Sequence, residues 1–343
     1  MKFQFFARIF FNILALGNCL GSTVFCLAQE KQRNEIVFVR VDKGKPALYT
    51  MQADGKSVMR ISKGDRYVSD PSFSHDRKKV VYTILGEDKT WSLLTANTDG
   101  TGEKKLYQSG IHTQQISLDF PIFGAMWSAD DSQIFFSTFE SDDGMYADGL
   151  FGLLHKIQAN GKNETDLGPG LLPSLSPDGK TLLYTSMEQN GKFLNLYSMK
   201  ADGTGKRLLA KNAIGGVWSP DGKQIAYVSI EEKTFGIVTA QPDGKQIKVV
   251  ISPAASPQMM EKPIFCRPVW SQDGKHIYFS RIPMKNGSVN SMDICVVDAD
   301  GKNVKLLTDA ATNNYLGDGT AFFIEIKKGS DKVRARRNQA PAK

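Results

Sequence analysis

One hairpin unit recurs along almost the whole chain and constrains its fold more than any other feature. It reads WSPDGKQIAYVS at 218–229. Drifted copies are FSHDRKKVVYT from Phe73, WSADDSQIFFST from Trp127, LSPDGKTLLYTS from Leu175, WSQDGKHIYFSR from Trp270 and a worn YLGDGTAFFIEI from Tyr315. Each copy is a short apolar approach, a polar turn on Asp-Gly or a substitute, and an alternating apolar run. Asp and Gly tolerate the positive φ that tight hairpin turns demand, so the unit predicts a β-hairpin. The first residues of successive copies lie 54, 48, 43, 52 and 45 positions apart. A near-constant period carried by strand patterns predicts a propeller.

A second turn recurs between the hairpins. It reads QADGK from Gln52, NTDGTG from Asn97, KADGTG from Lys200, QPDGKQ from Gln241 and DADGKN from Asp298, with Asn160-Gly161-Lys162 standing in once. Two Asp-Gly-type turns per period give four antiparallel strands, so each period is a blade. Complete blades run from Phe73, Trp127, Leu175, Trp218 and Trp270. The N-terminal runs EIVFVRV, PALYTM and SVMRI supply three strands without a first one. The stretch Tyr315 to Ile326 supplies strand with nothing after it. Joining the two ends makes a sixth blade and removes exposed sheet edges. The expected fold is therefore all-β, a six-bladed propeller over 35–326; a seventh blade would have to hide in the longer connections.

The paired motif, S-P-D-G-K before an apolar strand and D-A-D-G-K before a strand ending in Leu-Leu or Leu-Thr, resembles the WD-like repeat of the TolB family. The resemblance covers nearly all of 35–326. It implies the propeller fold but leaves function open, because such repeats also serve periplasmic scaffolds, peptidase propeller domains and some sugar lyases. TolB itself carries an α/β domain ahead of its propeller, and nothing between Ala28 and Glu35 accommodates one.

The first 28 residues place Lys2 and Arg8 ahead of an apolar core from Ile9 to Leu16, with Cys26-Leu27-Ala28 as a small-residue cleavage site. This predicts a secretory signal peptide, with residues 29–34 as a linker; a retained anchor or a lipoprotein is the alternative. The formal charge of +7 comprises +2 in this leader and +6 in the tail from Lys327, so the body sits at −1. No nucleic-acid-binding domain is implied. The tail, 327–343, is expected to be unstructured, with a weak electrostatic hold on anionic lipid or polymer as its one candidate role. Cys266 and Cys295 fall on the first and third strands of one blade. An intervening strand separates their Cα atoms by about 9–10 Å, so two free thiols are expected.

Both turn types lie at one end of every blade, whereas the connections 108–125, 140–151, 252–267 and 281–292 lie at the other and are long and irregular. Function favours long loops on a rigid scaffold, so this face around the channel mouth is the expected binding surface. Met259 and Met260 give an adaptable apolar patch, extended by Phe120, Phe123, Met145 and Tyr146. Glu140, Asp142 and Asp143 add an acidic cluster. Arg267 and Arg281, which bound two of the loops, complete the set. The alternative is that the apolar side chains fold down and plug the ring.

Catalytic constellations are scarce. Asp298-x-Asp300 opens like a calcium loop but has Lys302 and Asp309 where ligands are needed, so a hairpin turn is the better reading. Of His75, His112, His155 and His276, only His112 falls on the long-loop face, against the three converging ligands of a hydrolytic zinc site. No G-x-S-x-G elbow is present. No cofactor is expected. Trp127, Trp218 and Trp270 are expected to pack between blades. The resemblance implies an exported, non-enzymatic interaction module in the bacterial periplasm, with an envelope partner such as a peptidoglycan-associated lipoprotein. The alternatives are a metal-dependent oligogalacturonate-type lyase, which resembles this repeat but uses several histidines, and a small-ligand-binding channel.

Overall fold

The computed structural model describes residues 35–42, 45–64, 66–112, 122–141, 150–188, 193–252, 263–282, 284–285, 288–289, 293–307, 322–324 and 335–337. The expected leader and linker lie outside this set. The first blade has three strands, β1 (Glu35–Asp42), β2 (Lys45–Gln52) and β3 (Met59–Arg60). The second comprises β4 (Tyr67–Phe73), β5 (Lys79–Leu85), β6 (Thr90–Asn97) and β7 (Lys104–His112). The third comprises β8 (Ile122–Trp127), β9 (Gln133–Ser141), β10 (Leu150–Gln158) and β11 (Thr165–Pro169). The fourth comprises β12 (Leu171–Leu175), β13 (Thr181–Glu188), β14 (Phe193–Lys200) and β15 (Arg207–Ala210). The fifth comprises β16 (Ala213–Trp218), β17 (Ile225–Ser229), β18 (Gly236–Ala240) and β19 (Lys248–Ile251).

The sixth blade starts with β20 (Ile264–Trp270) and β21 (His276–Ile282), then carries a small ribbon, β22 (Met284–Lys285) with β23 (Ser288–Val289). It ends with β24 (Asp293–Asp298) and β25 (Lys305–Leu306). Blades two to six are four-stranded and antiparallel, and the architecture is the expected six-bladed propeller. First strands of successive blades touch one another and line the channel.

The turn chemistry explains the repeated sequence. In each hairpin of blades two to six, a serine hydroxyl donates to the aspartate two residues on and accepts the N–H five residues on. For Ser219 these bonds are 2.7 Å to Asp221 and 2.9 Å from Gln224. The aspartate also accepts the N–H two residues beyond it, 3.0 Å for Lys223 to Asp221. The same network forms at Ser74, Ser128, Ser176 and Ser271. Four turn polar groups are thereby satisfied within six residues, which is why Ser-x-Asp persists while its neighbours drift. The Ser128 and Ser132 hydroxyls and the Ser132 N–H hold the Asp130 carboxyl down at about 2.

The second turn type ties the blades into a ring. Its glycines have φ between +79° and +92° and sit against the outer strand of the preceding blade. A Cβ on Gly100 would lie 2.3 Å from the Ile61 carbonyl oxygen, one on Gly244 2.5 Å from that of Leu209, and one on Gly301 2.6 Å from that of Val250. Gly161 and Gly203 approach Leu106 and Leu167 in the same way. The sixth contact joins the ends of the ring: a Cβ on Gly55, in the first blade, would lie 2.8 Å from the Leu307 carbonyl oxygen, which follows β25. One apolar cluster accordingly runs from Phe265 and Phe279 of the sixth blade through Phe38 and Leu48 of the first to Phe73 of the second.

Trp127 and Trp218 of the first strands pack between blades as expected. The Trp127 indole donates to Ser72 O at 3.3 Å and that of Trp218 to Ser174 O at 3.2 Å, in each case one blade back. Trp91 is buried on β6, edge-on to Tyr67. Cys266 and Cys295 are buried free thiols on β20 and β24, with β21 between them. Within the stretch expected to complete the first blade, Phe322–Ile324 (β26) pairs with Ala335–Arg337 (β27) rather than with β1. β27 falls in the tail expected to lack structure.

Candidate functional site

Every described first strand carries a β-bulge a few residues in from the long-loop end. The register shifts after Ser69, Phe123, Leu171, Ile214 and Cys266. The next residue is left-handed in each case: Asp70 (φ 48°), Gly124 (67°), Leu172 (54°), Gly215 (65°) and Arg267 (53°). Glycine takes this conformation at no steric cost, whereas Asp, Leu and Arg hold it only because their surroundings impose it. Two of the bulges are pinned from the preceding blade. Ser137 Oγ accepts the Leu172 N–H and Thr185 Oγ1 the Gly215 N–H, both at 3.0 Å.

Two of the five bulge positions are charged, and they meet. An Arg267 guanidinium N–H donates to Asp70 Oδ1, joining the sixth and second blades, the two that flank the first. The Asp70 side chain is 1% exposed and that of Arg267 22%. The second Asp70 oxygen, Oδ2, is buried without a hydrogen-bond partner among the described residues. A second pair stands on the sixth blade, where Arg281 Nη2 lies 3.1 Å from Asp293 Oδ2. These residues are cross-strand neighbours at the long-loop end of β21 and β24, and the Asp293 side chain is fully buried.

Of the residues singled out in the sequence, the structure thus brings Arg267 and Arg281 into buried ion pairs. Their partners Asp70 and Asp293 were missed. Phe123 lies on β8 and is buried, so it belongs to the blade interior rather than to an exposed apolar patch. Glu140 lies in β9, paired with Phe151 of β10, because those strands run further toward the tip than the sequence suggested. Phe120, Asp142, Asp143, Met145, Tyr146, Met259 and Met260 lie outside the described residues, as does the side chain of His112.

The other histidines sit in three different settings. His75 is exposed in a tight turn, and His276 is half-exposed, 3.4 Å from Asp298. His155 is buried on β10, stacked on Phe136, with Nε2 2.8 Å from Thr138 Oγ1 and Nδ1 2.6 Å from Glu164 Oε1. This hydroxyl–imidazole–carboxylate row has its hydroxyl 2% exposed, so it ties strands together without access for a substrate. Among the described residues no group of three or more His, Cys, Asp or Glu side chains is placed to hold a metal ion. Asp300, at the calcium-like loop, accepts the Lys302 N–H at 3.0 Å and pairs with its Nζ at 2.9 Å, as an ordinary turn aspartate. Burial raises the thiols of Cys266 to about 11 and Cys295 to about 12, which makes both poor nucleophiles.

Comparison with solved structures identifies the architecture. A TolB candidate from Agrobacterium tumefaciens superposes with a TM-score of 0.56 at 18% identity, over 74% of this chain and 84% of that one. TolB from Acinetobacter baumannii gives 0.52 at 16%, over 80% and 69%. The fold is a TolB-like six-bladed β-propeller. An oligogalacturonate lyase from Vibrio parahaemolyticus shares it, with a TM-score of 0.53 at 12% identity over 84% of this chain and 78% of the lyase. In sequence, the chain is 30% identical over 115 residues to dipeptidyl-peptidase 5 of Porphyromonas endodontalis, covering 31% of this chain and 15% of the peptidase. It is 28% identical over 144 residues to the uncharacterized protein Atu1656 of Agrobacterium fabrum, covering 41% of this chain and 44% of that protein. The chain therefore spans less than half the length of these curated relatives. No protein-family profile matches it.

Proposed function

We propose that this TolB-like propeller is an exported, non-enzymatic interaction module of the bacterial cell envelope that engages a partner protein through its long-loop face. The observation that carries this reading is the asymmetry between the two ends of the blades. The turn end is consumed by self-satisfied Ser-Asp networks. The opposite end carries the longer connections in sequence and, on the strands that lead into them, the charged pairs Arg267–Asp70 and Arg281–Asp293. Buried charges fixed on a rigid frame favour orientation of an incoming polar group over chemistry, since no nucleophile stands beside a base at that mouth among the described residues. The Met259–Met260 loop supplies apolar contact, the 140–151 loop polar selectivity, and an envelope protein such as a peptidoglycan-associated lipoprotein is the partner class. The leader fits a periplasmic location.

The test is affinity capture with chemical cross-linking on the envelope of the source organism, using protein without residues 1–28. A saturable protein partner that is lost with Met259→Asp/Met260→Asp, at unchanged thermal stability, is the expected result. Unchanged capture removes that loop from the site. The likeness to the Vibrio lyase supports a second reading, a metal-dependent polysaccharide lyase. Stoichiometric divalent metal in the purified protein, together with cleavage of oligogalacturonate, would replace the first reading with the second.

A further inference from the structure

The large apolar side chains that stand exposed among the described residues all belong to one arc of the rim. Val58, Met59, Leu208, Ile247, Val249 and Leu306 are between 39% and 60% exposed. Each lies on, or one residue ahead of, the outer strand of blade one, four, five or six. These four blades are consecutive around the ring, because the glycines of the second turn join blade four to five, five to six and six to one. One position of the outer strand shows the contrast with the remaining blades. Leu208, Val249 and Leu306 stand opposite Tyr197, Val238 and Cys295 of their third strands. In blades two and three the same position, opposite Leu94 and His155, holds Lys105 and Asp166.

Charge follows the same arc. Over the six residues after the turn glycine, blades one, four, five and six each carry two basic residues and no acid, whereas blade two sums to +1 and blade three to −1. Turn aspartates pair with Lys56, Lys245 and Lys302. Arg60, Arg207, Lys248 and Lys305, which alternate with the apolar side chains, make no salt bridge among the described residues. In blades two and three the acids are tied down, Glu103 by Arg66 and Tyr82 and Glu164 by His155. Lysine on an edge strand also discourages pairing with another sheet, but that role leaves the apolar side chains beside it unexplained. We infer that this arc docks on an anionic lipid bilayer. The rim is convex, and its apolar side chains are separated by basic ones, so they form no continuous patch of the kind that holds a rigid protein partner. A deformable anionic layer suits both features: the basic groups reach headgroup phosphates while Ile247, Val249 and Leu306 enter the acyl boundary. Blades five and six, at the middle of the arc, make the first contact. This surface is separate from the long-loop face and does not depend on the function proposed for that face.

The test uses the full chain without residues 1–28, sedimented with vesicles of phosphatidylglycerol and phosphatidylethanolamine at low salt. Binding to these vesicles is expected, weakening as salt rises, with none to vesicles of phosphatidylcholine alone. Lys248→Gln/Lys305→Gln should weaken binding roughly thirtyfold, the effect of taking two lysines from an anionic surface. Lys104→Gln/Lys105→Gln removes the same charge from blade two and should weaken it by less than about twofold, since those side chains stay beyond a screening length of the lipid. All four lysines are exposed, so neither variant threatens the fold. In difference spectra against the unsubstituted protein, a tryptophan introduced by Ile247→Trp should shift to the blue on binding, and one introduced by Lys105→Trp should not. Absence of binding, equal binding to phosphatidylcholine, or equal loss in the two double variants overturns the inference. Binding that both double variants leave intact belongs to the tail and overturns it as well. A dimer that Leu306→Gln disperses in sedimentation equilibrium would make the arc a contact between copies and replace the bilayer.

Discussion

Gly55 offers the sharpest test of the ring, because it stands where the first blade meets the last. Substitution by alanine has two costs. The φ of +85° is left-handed, which penalises any L side chain by about 1–2 kcal/mol. The new Cβ would also lie 2.8 Å from the Leu307 carbonyl oxygen, a backbone atom that cannot swing aside. Gly179 is the control. Its φ is +74°, but nothing lies within 4 Å of an added Cβ, so Gly179→Ala carries the first cost alone. Relieving a backbone overlap by shifting one blade against another costs about 1–3 kcal/mol more, by analogy with overpacked cores. Gly55→Ala should therefore lose about 2–5 kcal/mol in urea unfolding and Gly179→Ala about 1–2 kcal/mol. Equal losses would mean that the first and sixth blades are not in contact at this turn, and the ring would fail at its join.

Four further outcomes are expected. Arg267→Gln leaves the buried Asp70 carboxylate unpaired and should destabilise the fold by about 3–5 kcal/mol, with Asp70→Asn/Arg267→Gln recovering much of it in a double-mutant cycle. The Asp130 carboxyl is held at about 2 by the Ser128 hydroxyl first, below its unfolded value of about 4. It therefore adds stability above pH 4 that is lost as the pH falls toward 2, and Asp130→Asn should flatten the acid side of the stability curve in that window. Native protein without residues 1–28, and so without Cys19 and Cys26, should not react with a thiol reagent at pH 8, whereas unfolding should release two reactive thiols, Cys266 and Cys295; a single disulfide would give none. Trp218→Phe removes the indole bond to Ser174 O and should cost about 1 kcal/mol.

What could be read from the chain, and what could not, follows from where information is local. The turns are self-contained, since Ser219, Asp221 and Gln224 satisfy one another within six residues, and so the blade period and the turn face were legible. The separation of Cys266 from Cys295 by one strand followed from the same count. The bulges were not legible, because their left-handed residues are Asp, Gly, Leu, Gly and Arg in turn and share no side-chain chemistry. The Asp70–Arg267 pair joins residues 197 positions apart and has no local signature. Aligning the blades on the tryptophan position would have exposed it, as two charged residues at a place where the other blades use glycine twice and leucine once. Phe123 and Glu140 were assigned to loops because alternation weakens toward strand ends, whereas the structure places both within strands.

The central claim is that binding belongs to the long-loop face, and one measurement addresses it directly. A photo-activatable residue is placed at Met260 on that face and, separately, at Lys223 in a tight turn whose side chain is 82% exposed. Each protein is irradiated on envelope preparations of the source organism. The account predicts a discrete protein adduct from position 260 and none from position 223. Adducts from position 223 alone would place the working surface on the opposite face and contradict it.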